Sequence, residues 1–282
     1  MGFLKKLFGS GKKEEEIDEE VIEEPIEYKE EVKDESTQVR NFKYLDDLIH
    51  SGAKDIVLDS DIFLGSGEES DYKEGIKLDV DNLVIEGNSH TIDAKGKARI
   101  FEVSGKNIII KNIILENGFA EEGGAINNGY GELTITESTL TENTAMYGGA
   151  INNRGELTIT ESTLQGNTAK EGNGGAINNR YGELTITEST LTENTATYGG
   201  AIRNNGELTI TESTLTGNTA KDFGGAIYNT GGELTITEST LTGNTAQRDG
   251  GAIYLNNKTK KYESNNCTFK ENKPDGVYEE KD

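Results

Sequence analysis

Apolar residues recur along this chain in two rhythms, one stepping by three or four residues and one by two. The first occupies 37–52, where Val39, Phe42, Leu45, Leu48 and Ile49 fall at helical spacing and Gly52 stands where a helix would stop. That spacing predicts an amphipathic helix with one apolar face. The second rhythm then appears in short runs at 55–58, 62–64, 76–78, 82–85, 91–92, 100–103 and 108–110. Such runs predict strands, because successive strand residues face opposite sides. A helix just before a stack of strands would shield its open edge and apolar end, so 37–52 is assigned as an N-terminal cap and 53–122 as irregular first coils.

Over 123–278 the alternation becomes a repeat. Gly-Gly-Ala-Ile begins at Gly123, Gly148, Gly174, Gly199, Gly224 and Gly250, and Gly-Glu-Leu-Thr-Ile-Thr-Glu-Ser-Thr-Leu begins at Gly131, Gly155, Gly182, Gly206 and Gly232. A period of 25 or 26 residues suits a leucine-rich repeat or a three-stranded β-helix coil. Each period holds three short Thr- and Ile-rich segments and no helical or asparagine-framed consensus, which selects the β-helix. The predicted fold is all-β, a right-handed parallel β-helix of six repeated coils on roughly three irregular ones, capped by the helix.

Alternation also sets which side chains point inward. Leu133, Ile135, Leu140, Ile126 and Asn128 face the interior, Thr134 and Thr136 face out, and Asn143 sits at a bend. The position after each inward Ile reads Asn127, Asn152, Asn178, Arg203, Tyr228 and Tyr254, varying as a surface site does, and is predicted to lie outside. Stacked coils align equivalent residues into columns. Asn128, Asn153, Asn179, Asn204 and Asn229 form one predicted amide ladder, and Asn143, Asn167, Asn194, Asn218 and Asn244 a second, each satisfying its own donors and acceptors. The paired glycines are predicted at tight turns or close coil contacts that a Cβ would obstruct. In the last coil Tyr262, Cys267, Phe269 and Asn272 replace the consensus, and Pro274 with the charged residues 279–282 blunts the edge.

Gly-Gly-Ala-Ile alternating with an apolar-x-x-Asn element, Phe269-Lys-Glu-Asn272 in full and Leu140-Thr-Glu-Asn143 with Leu for Phe, resembles the repeat of chlamydial polymorphic outer-membrane proteins and of adhesin-like proteins from methanogenic archaea. The preceding stretch, with Asn82-Leu-Val-Ile-Glu-Gly-Asn-Ser-His-Thr-Ile-Asp93 and Asn107-Ile-Ile-Ile-Lys-Asn112, is similar to the opening coils of pectate-lyase-like β-helices. The resemblance spans about 40–278 and implies a cell-surface or secreted adhesive stalk. The chain departs from that pattern in showing no signal peptide, no C-terminal barrel and no spanning helix.

Composition narrows the function classes. Only 32% of the residues are hydrophobic, there are 35 glycines and no Trp, and the formal charge is −23, a profile of a slim acidic solenoid repelled by nucleic-acid phosphates and anionic lipid. No apolar run reaches the ~18 residues of a membrane span or forms a secretory h-region, which by itself points to the cytoplasm. Residues 1–13 place Phe3, Leu4, Leu7 and Phe8 at helical spacing among lysines, a pattern suited to weak membrane-surface contact or to a solvated terminus. Thirteen acidic residues between Glu14 and Ser36 make the rest of 1–36 a disordered acidic tether by composition. Cys267 is alone, which excludes an internal disulfide and leaves it as a small structural residue.

Candidate chemistry is sparse. Pectinolytic β-helices, similar in fold, work with clustered Asp, usually Ca²⁺, and a basic residue; the repeats carry Asp at Asp222 and Asp249, and Arg154, Arg180 and Arg203 have no evident carboxylate partner. His50 falls in the predicted cap helix, and His90, in a strand-turn phrase, is read as a structural hydrogen-bonder. No catalytic residue is assigned and no enzyme expected. Two glutamate columns, Glu132, Glu156, Glu183, Glu207, Glu233 and Glu137, Glu161, Glu188, Glu212, Glu238, would repel by ~0.3 kcal/mol per pair unless cations bridge them, so weak Ca²⁺ binding is the one metal expectation beside a plain solvated face. Outward Thr134, Thr158, Thr185, Thr209 and Thr235 resemble the lattice of β-helical antifreeze proteins, though flanking glutamates break the plane. Tyr130, Tyr147, Tyr181, Tyr198, Tyr228 and Tyr254 supply an aromatic face for a glycan or protein ligand. The functional expectation is a binding or adhesive scaffold, with a divergent polysaccharide-active enzyme as the alternative.

Overall fold

The computed structural model describes residues 40–281. The tether of 1–36 and the membrane contact expected of 1–13 lie outside them. The helix is shorter than expected, Phe42–Ile49, because Asn41 caps it by accepting the Tyr44 N–H at 3.0 Å, and Gly52 turns the chain away at φ +94°. Phe42, Leu45 and Ile49 are fully buried, and Tyr72 packs edge-on against Phe42.

All strand pairings are parallel, in three nine-stranded sheets and a fourth of five strands, and the register holds throughout except in the fourth sheet, where it shifts between Ala196 and Tyr198. One coil shows the plan: Ile151–Asn153 in the first sheet, Glu156–Thr160 in the second, Thr163–Gln165 in the third and Thr168–Ala169 in the fourth. The fourth strand is an addition to the three predicted per period. Its common Thr-Ala element is too short for a visible alternation, yet the strand recurs in five coils, lengthening to Thr195–Tyr198 and Thr219–Phe223 in two of them. Ile114–Glu116 is likewise a strand that the pattern hid.

The interior is a set of columns. Ile126, Ile151, Ile177, Ile202, Ile227 and Ile253 are fully buried, as are the matching Leu and Ile of the other sheets. Both amide ladders form. Asn128 Nδ2 donates to Asn153 Oδ1 at 2.8 Å and the column continues through Asn179 and Asn204 to Asn229. The bend column runs from Asn143 through Asn167, Asn194, Asn218 and Asn244 to Asn272 with rungs of 2.9–3.1 Å. A serine ladder joins them: Ser138, Ser162, Ser189, Ser213 and Ser239 are buried, each Oγ donating to the Thr carbonyl two residues back. Cys267 takes the next rung, its Sγ 3.3 Å from the Asn265 carbonyl.

The second glutamate column has a backbone role that its charge concealed. Glu137, Glu161, Glu188, Glu212 and Glu238 lie at φ +49° to +52°, the left-handed bend between the second and third sheets, and the rungs before and after them are Asn112 and Asn266. Asparagine tolerates this region far better than glutamate. Glu188→Asn is therefore expected to stabilise the rod by about 0.5–1 kcal/mol, read as a higher urea midpoint at unchanged slope; a lower midpoint would refute this account of the bend.

Candidate functional site

Groups that carry chemistry gather on the outer face of the first sheet. The register aligns Lys77, Glu102, Asn127, Asn152, Asn178, Arg203, Tyr228, Tyr254 and Tyr278 in one column. The six from Asn127 to Tyr254 are the positions predicted to be surface, and that expectation is corrected: Asn127, Asn152, Asn178 and Tyr254 are buried, at 9% exposure or less. The residues just before each Gly-Gly make a wall beside the column, with Glu122 paired to Tyr147, Asn173 to Tyr198, and Tyr198 to Phe223. The face is the floor of a groove, so its side chains are covered although they point away from the core.

At its N-terminal end the groove is ionic. Arg99 is buried and donates to the Glu102 carboxylate at 2.7 Å and to the carbonyl oxygens of Glu74, Glu122 and Gly123. Burial pushes the Glu102 carboxyl above its ordinary range, opposed by the Asn127 amide and the Arg99 charge. With Lys73, Glu74, Lys97 and Glu122 these groups line a recess of about 690 Å³. Arg154 and Arg180, expected to lack a carboxylate partner, both reach Glu122, at 2.7 and 3.1 Å. The partner was missed because it belongs to the irregular coils; its place directly before Gly123, equivalent to Tyr147 and Tyr198, was the available signal.

Next comes a third amide ladder that the sequence reading missed. Asn127 Nδ2 donates to both Glu102 carboxylate oxygens at 3.0 Å, Asn152 Nδ2 to Asn127 Oδ1 at 2.8 Å, and Asn178 Nδ2 to Asn152 Oδ1 at 2.8 Å. Spacings of 25 and 26 residues between Glu102, Asn127, Asn152 and Asn178 carried that information. Beyond Asn178 stands Arg203, whose guanidinium forms no ion pair among the described residues and whose pKa is lowered by burial.

The C-terminal end is aromatic. Tyr198, Phe223, Tyr228, Tyr254 and Tyr278 form a continuous cluster with neighbouring ring centroids 4.5–6.3 Å apart, and Arg248 lies 5.4 Å from the Phe223 ring. Burial holds the Tyr254 phenol up at about 12. Of the six tyrosines assigned to a ligand face, Tyr198, Tyr228 and Tyr254 are thus brought together. Tyr147 and Tyr181 line a recess of the same groove nearer its N-terminal end, beside Asn178 and Arg203, although Tyr181 is 70% exposed, and Tyr130, at 84% exposure, stands out from the turn after its strand. Phe223 and Tyr278 complete the cluster.

The remaining candidates are dispersed. Glu132, Glu156, Glu183, Glu207 and Glu233 stack in register and are exposed on the second sheet, as are Glu137, Glu161, Glu188, Glu212 and Glu238 at the bend. Among the described residues no group of three or more His, Cys, Asp or Glu is placed to hold a metal ion. His50 hydrogen-bonds Asp46 and Asp79, and His90 approaches Asp61 at 3.2 Å, both in structural roles. No helix among the described residues is long and apolar enough to cross a membrane.

Comparison with curated proteins and with solved structures finds no match to the chain. A family model described as a right-handed beta helix region matches residues 126–281, more than half of the chain, and the protein belongs to that family.

Proposed function

We propose that the protein is a non-enzymatic binding scaffold of the adhesin-like kind, holding a glycan or protein ligand along the groove on the first sheet. The observation that carries this reading is the continuity of the groove: one covered floor passes from an ion-paired end, through amides and Arg203, to five clustered aromatic rings. A flat series of alternating charged, amide and aromatic contacts suits an extended ligand better than a single enclosed substrate. Adhesion requires exposure, so location at the cell surface belongs to the same proposal, and fractionation of the native cell tests it.

One observation favours a second reading, a divergent polysaccharide-active enzyme: a carboxyl with a raised pKa, Glu102, stands beside Arg99 in a recess. Against it, both Glu102 oxygens already accept from Asn127 and one from Arg99, and Glu122 is engaged by two guanidiniums. A general acid or base needs a carboxyl free to exchange a proton with substrate. Incubation on a glycan and polysaccharide panel is expected to give capture without shortened products, with capture weakened about tenfold by Tyr228→Ala. Product release that disappears in Glu102→Gln would replace the binding reading with the enzymatic one.

A further inference from the structure

Where the amide ladder ends, the groove contains a pit. Along the wall Tyr147 and Tyr198 are large and Asn173 between them is small, so the wall opens at that coil. The opening is a recess of about 310 Å³ lined by Tyr147, Asn173, Asn178, Arg180, Tyr181 and Arg203. At its floor Asn178 is 3% exposed and its Oδ1 has no hydrogen-bond partner, the one such buried side-chain atom among the described residues.

The direction of the ladder explains that orphan. Glu102 is held as an acceptor by Arg99, so Asn127 must present its NH₂ to Glu102 and its oxygen to Asn152. Asn152 then presents its NH₂ to Asn127 and its oxygen to Asn178, and the polarity ends with the Asn178 oxygen facing the coil of Arg203. At this step the other two ladders carry on from asparagine to asparagine, Asn179 to Asn204 and Asn194 to Asn218, whereas here the next rung is arginine. A buried acceptor left open beside an unpaired guanidinium is a costly arrangement for a fold that satisfies its other ladders.

We propose that this pit binds an acidic sugar residue. Its carboxylate would pair with Arg203, with Arg180, already held by Glu122 at 3.1 Å, at the rim; a hydroxyl or acylamino N–H beside the carboxylate would donate to Asn178 Oδ1, and its ring would lie between Tyr147 and Tyr181. The chemistry is specific in two respects. A neutral sugar leaves Arg203 uncompensated, and a bare inorganic anion without a donor leaves Asn178 Oδ1 open. The inference rests on the binding reading above and gives that groove a ligand class and an anchoring point.

The test uses the whole chain with N-acetylneuraminate and glucuronate as acidic probes and N-acetylglucosamine as the neutral one, by calorimetry and on a glycan array. An acidic probe is expected to bind, and the neutral one to bind at least tenfold more weakly. Arg203→Gln is expected to reduce acidic binding by about tenfold or more. Asn173→Tyr, which restores the residue found at the coils on either side, is expected to fill the pit and abolish binding with the thermal transition unchanged. Acidic binding that survives Asn173→Tyr, or equal binding of acidic and neutral sugars, overturns the pit while leaving the groove a binding surface. Absence of any captured glycan, acidic or neutral, overturns the pit and the glycan form of the binding reading together.

Discussion

Gly200→Ala is expected to destabilise the rod by about 4 kcal/mol, a large loss for one methyl group. Gly200 is the second glycine of its pair, and a Cβ there would overlap the Gly225 carbonyl oxygen of the next coil and lie 2.6 Å from the Thr219 nitrogen. Both obstacles are backbone, held by hydrogen bonds such as Gly200 N–H to the Gly224 carbonyl at 3.0 Å. The clash is relieved only by prising two coils apart, which strains the pairings of all four sheets at that level. The control is Gly243→Ala, where φ is +62° but no atom lies within 4 Å of the added Cβ. It is expected to cost about 1 kcal/mol, the left-handed penalty alone. Denaturant unfolding of the two variants separates the effects; equal losses would show that close coil contact is not what these second glycines serve.

The other large effect is expected inside the bend ladder. Asn194 Oδ1 accepts from the Asn167 backbone N–H at 3.0 Å and from its Nδ2 at 3.1 Å, while Asn194 Nδ2 donates to the Leu164 carbonyl and to Asn218 Oδ1, both at 3.0 Å. Asn194→Leu keeps the number and branching of the side-chain heavy atoms and removes all four bonds, stranding the Asn167 N–H in an interior closed to water. The expected loss is about 4 kcal/mol. Asn272→Leu breaks the same kind of contact at the last rung, but Asn272 is only half-buried and no asparagine stacks beyond it, so water can enter beside the altered residue and replace part of what is lost. Its expected loss is about 1 kcal/mol. Losses of the same size at both rungs, measured by urea unfolding, would mean that burial does not set the worth of these amides.

These two experiments probe features that differ in how openly the chain displays them. The ladders of Asn128 and Asn143 were legible because a residue that recurs at a fixed phase beside inward Ile and Leu must stack on its own copies. The groove was not legible in that way. Its floor reads Glu102, Asn127, Asn152, Asn178, Arg203, Tyr228, Tyr254, and residue variation there resembled the variation of an open surface. Variation and exposure parted because the wall residues before each Gly-Gly cover the floor, a coverage set by how turns lean over the sheet. Glu122 shows the same limit: two arginines 32 and 58 residues away meet it, a contact between segments that no local pattern links.

What the chain alone determined was the one-dimensional part of the fold. A period of 25 or 26 residues, with alternation inside it, dictates parallel coils, in-register columns and an apolar interior, because each of these follows from the pitch of a strand and the stacking of like on like. Tertiary structure alone decided where the irregular coils place Arg99, Glu102 and Glu122, which way the third amide ladder points, and that its last oxygen is left open beside Arg203. The physical reason is that repetition specifies equivalent positions, whereas a site arises where the repetition breaks: Asn173 between tyrosines and Arg203 after asparagines acquire meaning only when neighbouring coils lie one strand spacing away.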